Sequence, residues 1–354
     1  MVASHHRHVV ASPRDPSRKK LMSMTRPVTH ETVTESGDQG GPGVQATAAD
    51  DKRRVGDSVF RLLATGSGLT ILVILALVAA FLVIQGSPAL LAPAETLKTQ
   101  GYGEFAAWVA PFAFGTVWAA ILALAMAVPV AIGIALFISH YAPRAIAQPL
   151  GYVIDLLAAV PSVVFGLWGT SVLAVATQPL YLWLNTHLSW IPFFGGQASG
   201  TGRTILTAAV VLAVMVLPIT TSMCREVFLQ APRLHEEAAL ALGATRWEMI
   251  RMAVLPFARP GIVAAVMLGL GRALGETMAV AMVMSGGRNI TFQVLTSNNP
   301  NTIAATIAQN FPEAFGLKTN QLVAAGLILF LITLVVNMLA RWIVARRAEY
   351  SGAN

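Results

Sequence analysis

After Asp57 the chain alternates long apolar segments with short polar connections, and this pattern restricts the possible folds more than any other feature. An α-helix needs about 20 apolar residues to cross about 30 Å of hydrocarbon. Because backbone amides in lipid must be hydrogen-bonded within their own segment, helices are the expected structure. Six segments have about the required length: residues 66–84, 113–138, 150–177, 204–224, 261–284 and 321–343. The sequence therefore predicts an all-α membrane protein with six spans.

The overall composition agrees with a position in the bilayer. Hydrophobic residues make up 55% of the 354 residues and charged residues 12%, against about 25% charged residues in soluble domains. So few charges could not cover the surface of a water-soluble fold of this size. Residues 1–57 differ because they are rich in Ser, Thr, His, Gly and Pro, which predicts a disordered tail. The transmembrane domain is expected over residues 58–347, followed by a short tail of residues 348–354.

The distribution of lysine and arginine predicts the orientation, because cytoplasmic connections are enriched in these residues. Nineteen of the 24 would share one side: ten in residues 1–65, Arg144, five from Arg225 to Arg259, Arg341, Arg346 and Arg347. Four would lie on the other side: Lys98, Arg203, Arg288 and Lys318. We therefore expect both termini and the connection of residues 225–260 to face the cytoplasm.

Residues 225–260 are too polar to span a membrane, and they carry helix start and stop signals. Pro232 suits the first turn of a helix, where its missing N–H has no cost. Gly243 suits the end of that helix. Thr245 and Glu248 have the spacing of a capping box that begins a second helix. The segment predicts two short helices outside the membrane, and a pair of helices resting on the lipid surface would show the same signals.

The residue types and their spacing in this connection indicate its function more specifically. Glu237-Ala238-Ala239, Gly243 and Leu255-Pro256 resemble the EAA---G---------I-LP signature of ABC-importer permease subunits, with Ala253 at the usual isoleucine position. In that family the segment is the coupling helix, which docks in a groove of the cytoplasmic ATPase. The resemblance implies these ATPase-coupling residues: Glu237, Ala238, Ala239, Gly243, Thr245, Leu255 and Pro256. Pro256 and Pro260 are expected to end the second helix before the fifth span.

Residues 154–168, 269–280 and 241–245 together resemble the phosphate-specific ABC importer permeases, and the C-type subunit more than the A-type. The resemblance extends from about residue 60 to the C-terminus. It implies a six-helix permease that translocates inorganic phosphate across the cytoplasmic membrane. It also implies three kinds of partner: a homologous A-type permease subunit, two cytoplasmic ATPase subunits and an extracytoplasmic phosphate-binding protein.

The fifth span contains two ionisable residues near its middle, Arg272 and Glu276. Their spacing of four predicts one shared helix face. Ionisable groups at this depth are costly, and they usually face a cavity or each other. The pair therefore predicts a substrate pathway. A buried ion pair that fixes helix packing, aided by Gly271 and Gly275, is the alternative.

The third span contributes two further candidates. Asp155 lies in its first turns on the cytoplasmic side, where it would belong to the pathway or form a pair at the interface. Pro161 predicts a kink that frees backbone groups for a ligand, and Ser162 follows it directly. The candidate substrate-pathway residues are Arg272, Glu276, Asp155 and Ser162.

No catalytic constellation stands out. The sequence has no G-x-x-x-x-G-K-[ST] loop, so ATP and Mg are expected on partner subunits rather than on this chain. No Ser/His/Asp, paired-carboxylate or metal-ligand pattern is present, which predicts a subunit without enzymatic activity, cofactor or metal. Three alternatives remain: an ABC permease for sulfate, molybdate or an amino acid, a secondary transporter or channel that works without ATP, and a membrane anchor.

Overall fold

The computed structural model describes residues 55–93 and 104–348. Most of the tail predicted over residues 1–57, and residues 349–354, lie outside the described residues. Val55 already begins the first helix, three residues before the predicted start of the transmembrane domain at residue 58. The helices of the described part are α1 (Val55–Leu91), α2 (Phe105–Leu136), α3 (Arg144–Ala158), α4 (Ser162–Trp168), α5 (Ala174–His187), α6 (Ile205–Leu229), α7 (Arg233–Ala241), α8 (Arg246–Met249), α9 (Leu255–Gly275), α10 (Met278–Val283), α11 (Ile303–Asn310) and α12 (Leu317–Ala348).

Three π-helical turns join neighbouring helices in this list. They comprise residues 137–141 after α2, 169–173 between α4 and α5, and 250–254 between α8 and α9. Six helical segments of the described residues are long and apolar enough to cross a membrane: Ser58–Leu91, Phe105–Tyr141, Ser162–His187, Ile205–Leu229, Arg246–Gly275 and Leu317–Trp342. The predicted all-α fold with six spans is confirmed.

Helix α6 is the most buried of the six spans and forms the centre of the domain. Helix α2 packs along it through alanines spaced four residues apart, all of them fully or almost fully buried: Ala119, Ala123, Ala127, Ala131 and Ala135. Helix α9 packs on α6 through Gly269, where an added Cβ would lie 2.7 Å from Val216 Cγ1. Small residues allow such close approach where lipid supplies no hydrophobic force between helices.

The third predicted span, residues 150–177, is not one helix. Helix α3 ends at Ala158, and α4 begins at Ser162 after Pro161, whose ψ of 141° is extended. Proline lacks the N–H needed for the helical ladder and disfavours helical backbone at the preceding residue. The proline therefore interrupts the helix completely, where the sequence predicted a kink.

The fifth predicted span, residues 261–284, is also interrupted, because α9 ends at Gly275 and Glu276 is extended, with a ψ of 126°. At the other end of α9 the predicted stop is wrong, since the helical path continues past Pro256 and Pro260. The π-helical turn of residues 250–254 shifts the hydrogen-bond pattern just before Pro256, which has no N–H to contribute. Residues 246–275 therefore form one helical path.

Candidate functional site: two helix breaks and a connecting segment

The two interrupted spans meet through α4 and α10, the short helices that follow each break. A Cβ added at Gly166 of α4 would lie 2.8 Å from the Cα of Ala279 in α10. The Thr170 hydroxyl donates a hydrogen bond of 2.8 Å to the Met282 carbonyl. Residue numbers increase in the same direction on both sides of these contacts, from Gly166 to Thr170 and from Ala279 to Met282, so the two segments run parallel. Ser162 lies one turn before Gly166, at the start of α4 and directly after the first break.

Glu276 closes the second break. Its side chain is 9% exposed, and Oε1 accepts a hydrogen bond of 3.2 Å from the backbone N–H of Ala279. The Thr277 hydroxyl donates to the Gly275 carbonyl at 3.1 Å. The carboxylate therefore satisfies one of the free amides at the start of α10, as a capping side chain does. A buried carboxylate thus lies at the point where the fifth span is interrupted.

Arg272 lies one turn before this break, in the last turn of α9, and is partly buried. The prediction that Arg272 and Glu276 share a helix face is wrong, because the chain leaves the helix at Gly275 before it reaches Glu276. Among the described residues no ion pair or hydrogen bond engages the Arg272 guanidinium. The two charges are therefore neighbours along the chain that do not neutralise each other.

The glycines of α9 separate its two faces. An added Cβ at Gly269 would contact Val216 and Thr220 of α6. An added Cβ at Gly271 or Gly275 would meet no described atom within 4 Å. The packing role predicted as an alternative for Gly271 and Gly275 therefore has no partner helix within the described chain. This face of α9 is open to a ligand or to another subunit.

Asp155 lies in the last turn of α3, just before the first break, and pairs with residues of α6. It is half exposed, accepts a hydrogen bond of 2.9 Å from the Ser222 hydroxyl and lies 3.9 Å from Arg225 Nη2. The Arg225 guanidinium crosses α3 at Gly151, where a Cβ would overlap it. The structure therefore places Asp155 in a polar pair at the end of a span, and Ser162 at the break.

The connecting segment of residues 233–254 has the backbone that its capping signals predict. Helix α7 ends at Ala241, and Gly243 has a φ of +86°, a conformation that favours glycine. The Thr245 side chain accepts from the Glu248 backbone N–H at 3.3 Å, and Glu248 Oε2 accepts from the Thr245 backbone N–H at 2.8 Å. The predicted helix, glycine break and capped second helix are confirmed.

This segment exposes apolar and small side chains outside the core. Leu242 is 90% exposed, and Leu234 is also exposed. Ala238, Ala239 and Gly243 line an open concave surface, and the cavity that it borders has a volume of about 730 Å³. Exposed apolar surface of this kind marks an interaction site on a soluble face of a protein.

Sequence reasoning missed the contact that fastens α7 to the bundle. His140, in the π-helical turn after α2, lies 3.5 Å from Glu236, next to the coupling candidate Glu237. The Ser139 hydroxyl is 2.7 Å from the other ring nitrogen of His140. No local sequence pattern predicts a contact between His140 and Glu236, which are 96 positions apart. Phe228, Ile250 and Val254 are fully buried, and they belong to one apolar cluster that links the segment to α6 and α9.

Irregular backbone at membrane depth is stable only where protein buries it or a cavity borders it. Paired interruptions of this kind form solute sites in multi-pass transport proteins. The fold and the two breaks therefore assign this chain to the class of multi-pass transport proteins. The family model described as "Binding-protein-dependent transport system inner membrane component" matches residues 131–349, and the chain belongs to this family. The matched range includes the connecting segment and both breaks.

Curated relatives agree with the resemblance seen in the sequence. The phosphate transport system permease protein PstC 2 of Mycobacterium tuberculosis (strain ATCC 25618 / H37Rv) is 45% identical over 308 residues, which cover 84% of this chain and 94% of that protein. The phosphate transport system permease protein PstC of Mycobacterium leprae (strain TN) is 44% identical over 281 residues, which cover 77% and 88%.

One solved structure supports the fold. It is a bacterial ABC transporter involved in the import of the acidic polysaccharide alginate, with a TM-score of 0.54 and 17% identity. The match covers 83% of this chain and 99% of that chain. Together with the six apolar helices, these likenesses establish a multi-pass membrane protein with the fold of an ABC importer permease.

Proposed function

We propose that this chain is the C-type permease subunit of an ATP-driven importer that carries inorganic phosphate across the cytoplasmic membrane. The names of the relatives support phosphate as the cargo, ahead of sulfate, molybdate or an amino acid. The observation that carries the proposal is the paired break, with a buried carboxylate at Glu276 and an unpaired guanidinium at Arg272.

The chemistry of phosphate suits these two side chains. Near neutral pH phosphate is a mono- or dianion that still carries at least one proton. The planar guanidinium of Arg272 stays charged and binds two oxygens at once. Glu276, when ionised, accepts a hydrogen bond from the phosphate hydroxyl, which sulfate lacks. A site that bonds a substrate proton discriminates against the analogue without it.

The remaining pathway candidates have supporting roles in this proposal. Ser162, directly after the first break, offers a hydroxyl to the passing anion. Gly271 and Gly275 leave the backbone of α9 accessible on the same side as the break. Asp155, held by Ser222 and Arg225, closes the inner end of the pathway between transport cycles.

Coupling to ATP follows from the continuous helical path of residues 246–275. The ATPase docks on α7 through Glu237, Ala238 and Ala239, and Gly243 and Thr245 set the angle to the next helix. Leu255 and Pro256 then connect the segment to α9. A 30-residue helical path spans roughly 45 Å. Displacement at the docking site is therefore transmitted to the end of α9, where Arg272 lies.

The partners complete what this chain lacks. A homologous A-type permease subunit covers the open face of α9, and two ATPase subunits supply ATP and Mg, while an extracytoplasmic binding protein delivers phosphate. Among the described residues no group of His, Cys, Asp or Glu has the arrangement of a metal site. In this proposal the chain itself is not an enzyme, both termini and residues 225–260 are cytoplasmic, and residues 58–347 form the permease domain.

The test is uptake of radiolabelled phosphate by cells that depend on this importer. Arg272→Ala is expected to abolish uptake while the complex still assembles, and Glu276→Gln is expected to weaken it. Arg144→Ala is the matched control, because Arg144 is an exposed arginine at the start of α3, away from both breaks. Wild-type uptake in both Arg272→Ala and Glu276→Ala would contradict the pathway role. Loss of assembly would assign the pair to packing.

A further inference from the structure

A second polar site lies apart from the Arg272–Glu276 break. It is a pocket of about 230 Å³ between the start of α2, the connection that follows α10, helix α11 and the start of α12. Arg288 and Lys318 line it, together with the buried side chains of Thr306 and Gln321. The charge distribution of the connections assigns Arg288 and Lys318 to the outer side of the membrane. None of the proposed pathway residues lines this pocket.

Two polar side chains in the pocket are buried without a partner. Gln321 is 1% exposed and Thr306 is 5% exposed. Neither Gln321 Nε2 nor Thr306 Oγ1 has a hydrogen-bond partner among the described residues. A buried donor without an acceptor loses its hydration and gains nothing in return, which is unfavourable. Both residues line the pocket, so a bound acceptor that reaches these two groups would satisfy them.

The charges of the pocket have one sign. Arg288 and Lys318 are its ionisable lining residues, and no carboxylate lines it. Lys318 and Gln321 lie in the first turns of α12, a long helix whose N-terminus adds partial positive charge. The Arg288 guanidinium is held 5.8 Å from the centroid of the Phe112 ring. Two cations, an amide N–H and a hydroxyl therefore converge on one small volume.

The amide side chains around the pocket are ordered by one another and connect it to the second break. Asn301 Nδ2 donates to Gln309 Oε1 at 2.9 Å. Gln309 Nε2 donates in turn to the Ala281 carbonyl of α10 at 2.9 Å. The pocket is therefore attached to the short helix that follows Glu276, so an anion held here lies next to the element that forms the break.

We propose that this pocket is a binding site for a phosphate-type oxyanion, held by Arg288, Lys318, Thr306 and Gln321 at the outer end of the chain. A volume of about 230 Å³ accommodates one tetrahedral oxyanion with a few waters, since each water occupies about 30 Å³. The role of the pocket as the first binding position of transported phosphate on this subunit rests on the proposed function. The binding of an anion in the pocket does not depend on that function. Because no carboxylate lines the pocket, it accepts sulfate as well as phosphate, in contrast to the site at Glu276.

The experiment measures binding of radiolabelled inorganic phosphate by equilibrium dialysis. The sample is the complex with its partner permease and ATPase subunits, without the binding protein, in phosphatidylcholine nanodiscs. All variants carry Arg272→Ala, so that binding at the break does not contribute. Saturable binding is expected, and sulfate should compete with similar affinity. Arg288→Gln and Lys318→Gln should each weaken binding about tenfold or more, since each removes a charge-assisted hydrogen bond.

Two further variants keep the test decisive if a charge substitution impairs assembly. Thr306→Val removes only a hydroxyl, and it should weaken binding about threefold to tenfold. Arg144→Gln removes one exposed arginine outside the pocket and should leave binding unchanged. Absence of saturable binding, or an affinity equal to that of the parent in both Lys318→Gln and Thr306→Val, would overturn the proposal.

Two further measurements distinguish binding of a free anion from binding of a lipid headgroup, and test the proposed cargo separately. Native mass spectrometry in phosphatidylglycerol nanodiscs would overturn the free-anion site if it showed a bound lipid that Lys318→Gln removes, with no binding of free phosphate. Phosphate uptake by the complete wild-type importer is measured in parallel. Binding without uptake would support the pocket and contradict the proposed cargo. Normal uptake without binding would overturn the pocket alone.

Discussion

The connecting segment of residues 233–254 and the breaks at residues 159–161 and 276–277 are both interruptions of helix, but they differ in what determines them. In the connecting segment, Gly243 and the capping box of Thr245 specify the backbone within a few residues. At the breaks, contacts between α4 and α10 hold two distant parts of the chain together. Substitutions should therefore act locally in the first region and across the bundle in the second.

The largest effect is expected from Gly166→Ala, which tests the packing of the breaks. The new Cβ would lie 2.8 Å from the Cα of Ala279, a contact that the backbone cannot relieve by changing a rotamer. Overpacking of this kind destabilises by about 1–3 kcal/mol, which outweighs the roughly 1 kcal/mol that alanine gains over glycine in a helix. Thermal unfolding of the purified complex should shift to lower temperature. Gly133→Ala is the control, because its Cβ meets no described atom within 4 Å, and it should not lower the transition.

A smaller effect on the fold, with a large effect on coupling, is expected from Gly243→Asp. The φ of +86° is unfavourable for a side chain by roughly 1–2 kcal/mol, and the new carboxylate lies on the concave surface beside Ala239. Phosphate uptake should fall while the protein remains folded in the membrane, as measured by uptake and by co-purification of the ATPase. Gly243→Asn should retain more uptake, because asparagine tolerates positive φ better. Normal uptake and normal ATPase association in Gly243→Asp would show that this segment does not couple.

The smallest effect is expected from Thr245→Ala, which removes one cap and leaves the breaks untouched. Loss of an N-terminal capping side chain costs about 1 kcal/mol. Uptake should fall severalfold, and the thermal transition of the bundle should move little. Thr245→Ser keeps the hydroxyl that accepts the Glu248 N–H and should behave like the parent protein. An effect on unfolding as large as that of Gly166→Ala would erase the distinction between the two regions.

Most of the fold was predictable because hydropathy depends on stretches of about 20 residues. The same averaging hides an interruption of one or two residues. Pro161 marked the first break, since proline removes an N–H. The second break had no comparable signal, because Gly275 is one of several glycines in a helix that continues through Gly269 and Gly271. The shared face of Arg272 and Glu276 was therefore wrongly predicted.

The connecting segment was predictable down to individual hydrogen bonds, because its signals are local. The exception is the continuation of the helix through Pro256 and Pro260, which a π-helical turn permits. The contacts that required the folded chain are those between distant elements. They include His140 with Glu236, Asp155 with Ser222, and the convergence of Thr306 and Gln321 on one pocket.

The π-helical turn of residues 250–254 also sets the rotational phase of everything that follows it. It contains one residue more than an α-helical turn, so the two ends of the 246–275 path are offset in phase. Each residue of an α-helix turns the chain by about 100° and advances it by about 1.5 Å. If residues 250–254 were α-helical instead, the extra residue would add about that angle and Arg272 would point in a different direction around the axis of α9. The direction in which the guanidinium points is thus encoded some twenty positions away, in the length of a single turn.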